Sequence, residues 1–184
     1  MSERVQAALI RPCQLNDLTT VRAIYAQAVE QGTGTFELDT PTLEEMQRRH
    51  ADVQSKGLPW LVAEADGRVL GYAYANAFRP RPAYRFFLED SIYLSPDAQG
   101  QGLGRLLLAE LVARCTALGA RQLLAVIGDS QNAASIGVHR SCGFQHTGVL
   151  KNSGWKFGRW LDVVLMQRSL GPGASQPAGA GGVR

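Results

Sequence analysis

A chain of 184 residues with an ordinary apolar fraction of 45% suits one domain with a full hydrophobic core, and no apolar run approaches the roughly 18 residues of a membrane span. The net charge of +3 is spread along the chain, which argues against nucleic acid while favouring a small anionic ligand. The three cysteines, Cys13, Cys115 and Cys142, lie too far apart for a disulfide framework or metal cluster and read as buried free thiols. With three histidines and neither HExxH nor CxxC, no catalytic metal is expected.

The opening residues Met-Ser-Glu-Arg-Val-Gln lack a signal-peptide apolar stretch, which predicts a cytoplasmic protein without membrane partners. Ile10-Arg11-Pro12 reads as the end of a strand. Asn16 or Asp17 is placed to cap a helix carrying Leu18, Val21, Ile24, Tyr25 and Ala28 at helical spacing, stopped by Gln31-Gly-Thr-Gly34. Thr42-Leu-Glu-Glu45 has the form of a capping box for a second helix, whose Arg48, Arg49 and Lys56 read as a solvated face. Residues 60–65 and 68–77 form a hairpin across Asp66-Gly67. Arg79-Pro-Arg-Pro82 interrupts the sheet before residues 84–94 resume as a strand.

Residues 93–105, Tyr-Leu-Ser-Pro-Asp-Ala-Gln-Gly-Gln-Gly-Leu-Gly-Arg, organise the chain. A strand ends there, glycines follow at positions 100, 102 and 104, and an apolar-periodic helix over residues 103–117 starts at once. Glycine lets the backbone turn its N–H groups inward, and a helix N-terminus adds unpaired donors and partial positive charge, so phosphate is the natural guest. The spacing is neither G-x-G-x-x-G nor a Walker loop. Beyond it come a short buried strand over 122–127, a helix over 132–142 running to Gly143, and strands over 144–150 and 161–167. Residues 171–184, rich in Gly, Pro and Ala, read as a flexible tail with nothing to bury. The order β-α-α-β-β-β-α-β-α-β-β implies a mixed α/β domain over residues 1–170, its sheet flanked by helices on both faces.

Read as Q-x-x-G-x-G, Gln99 to Gly104 resembles the acyl-coenzyme A loop of the GNAT acetyltransferase superfamily, and Asn132, Ser135, His139 and Gly143-Phe144 resemble that superfamily's downstream signature. Thr35-Phe36-Glu37, Arg79 to Arg85, Glu89 to Tyr93, Gly128-Asp-Ser and Gly154-Trp-Lys-Phe-Gly-Arg-Trp-Leu-Asp162 are similar to one branch, the phosphinothricin and methionine sulfone or sulfoximine N-acetyltransferases. The resemblance covers residues 10–170 and implies the GNAT fold, with a mostly antiparallel sheet. It also implies acetyl-CoA as co-substrate, a small amino acid as acceptor and a homodimer. It places the diphosphate on Gln99, Gly100, Gln101, Gly102, Leu103, Gly104 and Arg105, with Asn132 and Ser135 beside the coenzyme. The pantetheine arm is expected along Ile92, Tyr93 and Leu94, with the Leu94 N–H an oxyanion donor.

For the chemistry, an α-ammonium with pKa near ~8 must lose a proton before it attacks. Glu89 matches the branch's base, the alternative being a solvated or ion-paired strand carboxylate. Asp90, next along the strand, is expected on the opposite face and outside the cleft. His139 stands where many relatives keep a tyrosine acid; it is read either as an acid or base or as a helix histidine bonded to a carbonyl. Tyr93 is a second acid candidate or a core aromatic. Arg79 and Arg81 have forks suited to carboxylate, phosphinate or sulfone oxygens, or belong to a solvated loop. Phe36, Tyr84 and Trp155 are read as pocket walls or as core or dimer aromatics. Cys142 is assigned to packing, so direct attack without an acyl-enzyme is expected. Acetylation of another amine, a protein N-terminus or a polyamine, and a non-catalytic acyl-CoA sensor remain the rival readings.

Overall fold

The computed structural model describes residues 8–183; the opening residues on which the cytoplasmic expectation rests lie outside them. The chain runs β1 (Leu9–Pro12), α1 (Leu18–Gln31), α2 (Leu43–Ser55), β2 (Trp60–Ala65), β3 (Arg68–Ala77), β4 (Phe87–Leu94), α3 (Leu103–Ala117), β5 (Gln122–Gly128), α4 (Ala133–Ser141), β6 (Gln145–Lys156) and β7 (Arg159–Ser169). The element order matches the sequence pattern throughout. The strands form one sheet in the order β1-β2-β3-β4-β5-β7-β6, and only β4 with β5 is parallel.

Several boundaries differ for local reasons. Residues 82–84 form a 3-10 turn before β4, since Pro82 has no N–H for a ladder. The final hairpin is longer than its apolar pattern: β6 and β7 stay paired out to Lys156 and Arg159, and the turn is made by Phe157 and Gly158, both at positive φ. At α1 neither Asn16 nor Asp17 makes a side-chain cap; the Asp17 carboxylate instead takes Arg11 at 2.7 Å and the Gln14 N–H. Thr42 does cap α2, accepting from the Glu45 N–H at 3.1 Å, but the Glu45 carboxylate pairs with Arg48 and Arg49. Arg49 also pairs with Glu37, and Lys56 with Asp52, so this face is ion-paired as well as solvated.

β3 decides how the layers stack. Tyr72 and Tyr74 point to one side, where they stack with Trp60 and meet Tyr93 under α1 and α2. The alternate positions Gly71, Ala73 and Ala75 are small, and α3 lies close over them with Leu107, Leu108 and Leu111 fully buried. A Cβ at Gly71 would come within 2.3 Å of Leu94 Cδ2. Cys13, Cys115 and Cys142 are all free and buried. No described helix is long and apolar enough to cross a membrane.

Residues 171–183 form no helix or strand, yet they do not hang free. Arg121 donates to the carbonyls of Gly173 and Pro177, Arg85 donates to Gly181, and the Val183 side chain packs against the core. The expectation of a tail with nothing to bury is corrected in that respect: arginines far away in sequence supply donors that a Gly- and Pro-rich backbone can accept.

Candidate active site

The site begins where the sheet splits. β4 and β5 pair only from Phe87 with Gln122 to Asp90 with Ala125. Past that point β4 continues to Leu94 against β3 alone, and β5 continues to Gly128 against β7 alone. The Phe87 carbonyl accepts from the Phe78 N–H, and the Ser95 N–H donates to Leu70, so odd-numbered backbone groups of β4 face β3. Alternation therefore turns the N–H and C=O groups of Ile92 and Leu94 into the gap, without a strand partner. The resulting cleft, about 610 Å³, passes through the sheet between α1, the loop after it, β4, β5 and α4.

At the mouth of the gap, Gly100 and Gly102 have φ of 74° and 81°, and Gly102 is the left-handed N-cap of α3. Gln101 is turned back, its amide donating to the Asp97 carbonyl at 2.7 Å. The N–H groups of residues 100–104 find no acceptor among the described residues; the first helical bonds are those of Arg105 and Leu106 to the Gly102 carbonyl. Gln99, Gly100 and Gly104 line the cleft, whereas the Arg105 side chain is exposed and Leu103 is buried in the core. Gly104 also lets α3 close on the strand: a Cβ there would lie 3.3 Å from Leu94 Cδ1 and 3.4 Å from Val138. This is a concave set of unpaired amides at a helix N-terminus, fit for a diphosphate.

Glu89 and Asp90 occupy opposite faces of β4, as alternation requires, but both line the cleft because the gap opens to both faces. The expectation that Asp90 lies outside the cleft is therefore corrected. The Glu89 carboxylate accepts no hydrogen bond from any described residue, although its backbone is paired with β3. Burial and then the neighbouring charge of Asp90 raise its carboxyl above the usual range, opposed by Arg79. Asp90 is 5% exposed; its Oδ2 lies 2.9 Å from His139 Nε2, and its Oδ1 has no partner among the described residues.

His139 is 2% exposed, and both ring nitrogens are committed. Nδ1 lies 2.7 Å from the Ser135 carbonyl, which can only accept, so Nδ1 carries a hydrogen. Burial lowers the imidazole, but the hydrogen bond and charge of Asp90, with the Ser135 carbonyl, outweigh it, and the net direction is up. The carbonyl-bonded alternative weighed for this histidine is thus present, together with an acidic partner that the spacing did not disclose. Asn132 caps α4, its Oδ1 accepting from the Ser135 N–H at 3.1 Å. Tyr93 packs against Tyr25 and Tyr72, and burial raises its phenol well above the ordinary value. Cys142 is buried against the Arg105 carbonyl, outside the cleft.

The opposite wall is the loop after α1, and its supports were missed from sequence. Phe36 fits into space left by two glycines: a Cβ at Gly154 would come within 2.5 Å of its ring, and one at Gly128 within 3.0 Å of the ring and 2.3 Å of the Thr33 carbonyl. Lys156 is 4% exposed and donates to the Gly32 and Thr35 carbonyls, both at 2.9 Å; burial lowers its ammonium, partly offset by Glu37. Asp129, at φ 70°, accepts from Thr33 and Arg159 and from the Gln131 N–H. The Gly154-Trp-Lys-Phe motif carried a signal for this wall, but nothing local says which loop Lys156 reaches. Arg79, Arg81 and Tyr84 are not brought into the cleft. The Arg79 guanidinium lies over the Phe78 ring at 5.1 Å, and Tyr84 packs edge-on against the same ring, because the proline turn directs this segment to solvent. No group of three or more potential metal ligands gathers among the described residues.

An open strand edge running from an amide cradle to a desolvated carboxylate suits a coenzyme arm carrying an activated acyl group, and this defines an acyl-CoA-dependent acyltransferase. Comparison with known proteins gives the family. Residues 21–144 match the Acetyltransferase (GNAT) family, and the chain belongs to it. It is 56% identical over 167 residues to a phosphinothricin N-acetyltransferase of Alcaligenes faecalis, covering 91% of this chain and 85% of the relative. It is 41% identical over 173 residues to an L-methionine sulfoximine/L-methionine sulfone acetyltransferase of Pseudomonas paraeruginosa, covering 93% and 99%. A phosphinothricin acetyltransferase from Sinorhizobium meliloti, solved in complex with acetyl-CoA, superposes with a TM-score of 0.93 at 47% identity over 96% of each chain.

Proposed function

We propose that this protein acetylates the α-amino group of a small amino acid whose side chain ends in a tetrahedral, oxygen-rich group, as in phosphinothricin, methionine sulfone and methionine sulfoximine. The observation that carries this reading is Glu89: a carboxylate without a hydrogen-bond partner among the described residues, in the same cleft as the open β4 edge. Acetyl-CoA supplies the activated acyl group. The amides of residues 100–104 hold its diphosphate, with Gln99 beside them and the Asn132 and Ser135 turn at the head of α4 flanking the coenzyme. Ile92 and Leu94 offer N–H and C=O groups to the amides of the pantetheine arm, and the Leu94 N–H is the oxyanion donor. Glu89, directly or through water, takes the surplus proton from the substrate ammonium; its raised pKa brings it nearer the operating range of a general base. The amine then attacks the thioester directly. Phe36 walls the acceptor pocket.

The chain forms a homodimer in this reading. Towards its tip the hairpin of β6 and β7 exposes Trp155, Phe157 and Trp160, each more than half exposed, with Trp155 and Trp160 packed edge-on. Free buried thiols are consistent with a reducing, cytoplasmic setting. The test is thiol release from acetyl-CoA with a panel of acceptors: phosphinothricin, methionine sulfone, methionine sulfoximine, ordinary amino acids, short peptides and polyamines. The three oxygen-rich acceptors should give the highest kcat/KM. A preference for peptides or polyamines, or turnover with none of the panel, would overturn the reading.

A further inference from the structure

Asp90 is a buried charged group that the mechanism above does not use. It projects from β4 into the layer beneath α3 and α4, with one carboxylate oxygen on His139 and the other buried without a partner among the described residues. Three facts constrain it. His139 Nδ1 must keep its hydrogen for the Ser135 carbonyl, so the contact between Nε2 and Asp90 holds one further proton between ring and carboxylate. No described donor other than His139 reaches the carboxylate of Asp90. Glu89 is its neighbour along the strand, on the other side of a sheet that is split at this point.

We propose that Asp90 is a positioning residue for the acetyl-transfer step: it holds His139 as an imidazolium and, through its charge, keeps Glu89 able to accept a proton. The inference rests on the reading of Glu89 as the base. It assigns His139 no proton transfer of its own, because both of its nitrogens are engaged where they stand. The Oδ1 of Asp90 is buried and has no donor among the described residues, so its charge is met only through Oδ2 and His139.

The other titratable groups around the pair are few. From α3, Cys115 faces Asp90, and burial followed by the Asp90 charge pushes its thiol up to about 12. From α4 there is His139 itself. β5 presents Leu124 and Ala125 opposite, which carry no charge. Around Glu89, Arg79 opposes the effect of Asp90, and Tyr74 from β3 is raised chiefly by burial, with Ser91 and Arg49 opposing and the charges of Glu89 and Glu37 adding. His139 and the Glu37 that acts on Tyr74 aside, none of these neighbours is a carboxylate or an imidazole, so Glu89, Asp90 and His139 belong together as one set of charges.

Asp90→Asn keeps the shape and removes the charge. With the charge gone, Glu89 falls toward the ordinary carboxylate range. The acid limb of kcat/KM then moves to lower pH, raising the ratio of activity at pH 6 to activity at pH 8 by about threefold or more while maximal kcat falls. In the same variant the His139 ring resonance, identified by its loss in His139→Gln, titrates below ~6.5, whereas in the wild type it titrates above that value. An acid limb that stays in place, or a His139 that titrates alike in both proteins, overturns the proposal. Should Asp90→Asn fail to fold, nitrogen chemical shifts of wild-type His139 at pH 7 decide the matter: both nitrogens protonated supports it, and a neutral ring overturns it. Wild-type turnover on the acceptor panel tests the functional reading separately, and the ring titration is read whether or not any acceptor is acetylated.

Discussion

The two walls of the cleft are made of different material. On the proposed coenzyme side the groups on offer are main-chain ones: the amides of residues 100–104 and the unpaired edge at Ile92 and Leu94. On the proposed acceptor side they are side chains, Glu89 and Phe36, and the loop after α1, which is held by Lys156 and by Asp129 with Arg159. A wall of backbone groups depends on glycine and helix placement and tolerates side-chain change. A wall of side chains depends on every support that holds it, so the two should fail differently.

The largest contrast is expected at Glu89. Glu89→Gln should lower kcat by about 10²- to 10⁴-fold near neutral pH while leaving acetyl-CoA binding by calorimetry unchanged. The deficit should narrow as pH rises past the ammonium pKa near ~8, where free amine no longer needs a base. An equal loss at every pH from about 6 to 9 would remove Glu89 as the base.

On the backbone wall, Gly104→Val should do the reverse. Its added carbons meet Leu94 and Val138, and acetyl-CoA affinity should fall by about tenfold, or ~1.4 kcal/mol, with the acceptor KM little changed. If both constants moved together, the two walls would not be separable.

Gly154→Ala probes the acceptor wall from beneath. A Cβ within 2.5 Å of the Phe36 ring must displace that ring, costing about 1–3 kcal/mol of stability in chemical denaturation. The acceptor KM should rise, and acetyl-CoA binding should not change. Smaller still is the effect expected at the exposed proline turn: Arg79→Ala and Arg81→Ala should each change the acceptor KM by less than about threefold, since solvated charges contribute little. A larger loss would place that loop in the acceptor wall after all.

The pH dependence of stability sharpens the contrast within the fold. His139 has a raised pKa, so its pairing stabilises fully below the unfolded value near ~6.5 and is lost as pH rises through the higher folded value. His50 is lowered, chiefly by burial beside Trp60, so its contribution is present above ~6.5 and is lost as pH falls through its folded value. In melting curves across this range, His139→Gln should remove the loss on the alkaline side and leave the acid side in place. Retention of the alkaline-side loss in that variant would contradict the pairing.

What the sequence determined by itself follows from short-range rules. Alternation and helical spacing placed every strand and helix in order, and glycines at 100, 102 and 104 marked the amide cradle, because φ preference and helix-end donors are local properties. The role of Glu89 as the base comes from the resemblance to the phosphinothricin branch and stays a proposal; the structure shows that the residue lines the cleft. Only the tertiary structure decided that β4 and β5 part after Asp90, which brings Asp90 into the cleft together with Glu89. It also decided that Asp90 takes the free nitrogen of His139, that Lys156 reaches the loop after α1, and that Arg79 and Arg81 stay outside. Those outcomes depend on where strands diverge and on which distant groups satisfy a buried charge, and no periodicity along a single chain encodes either.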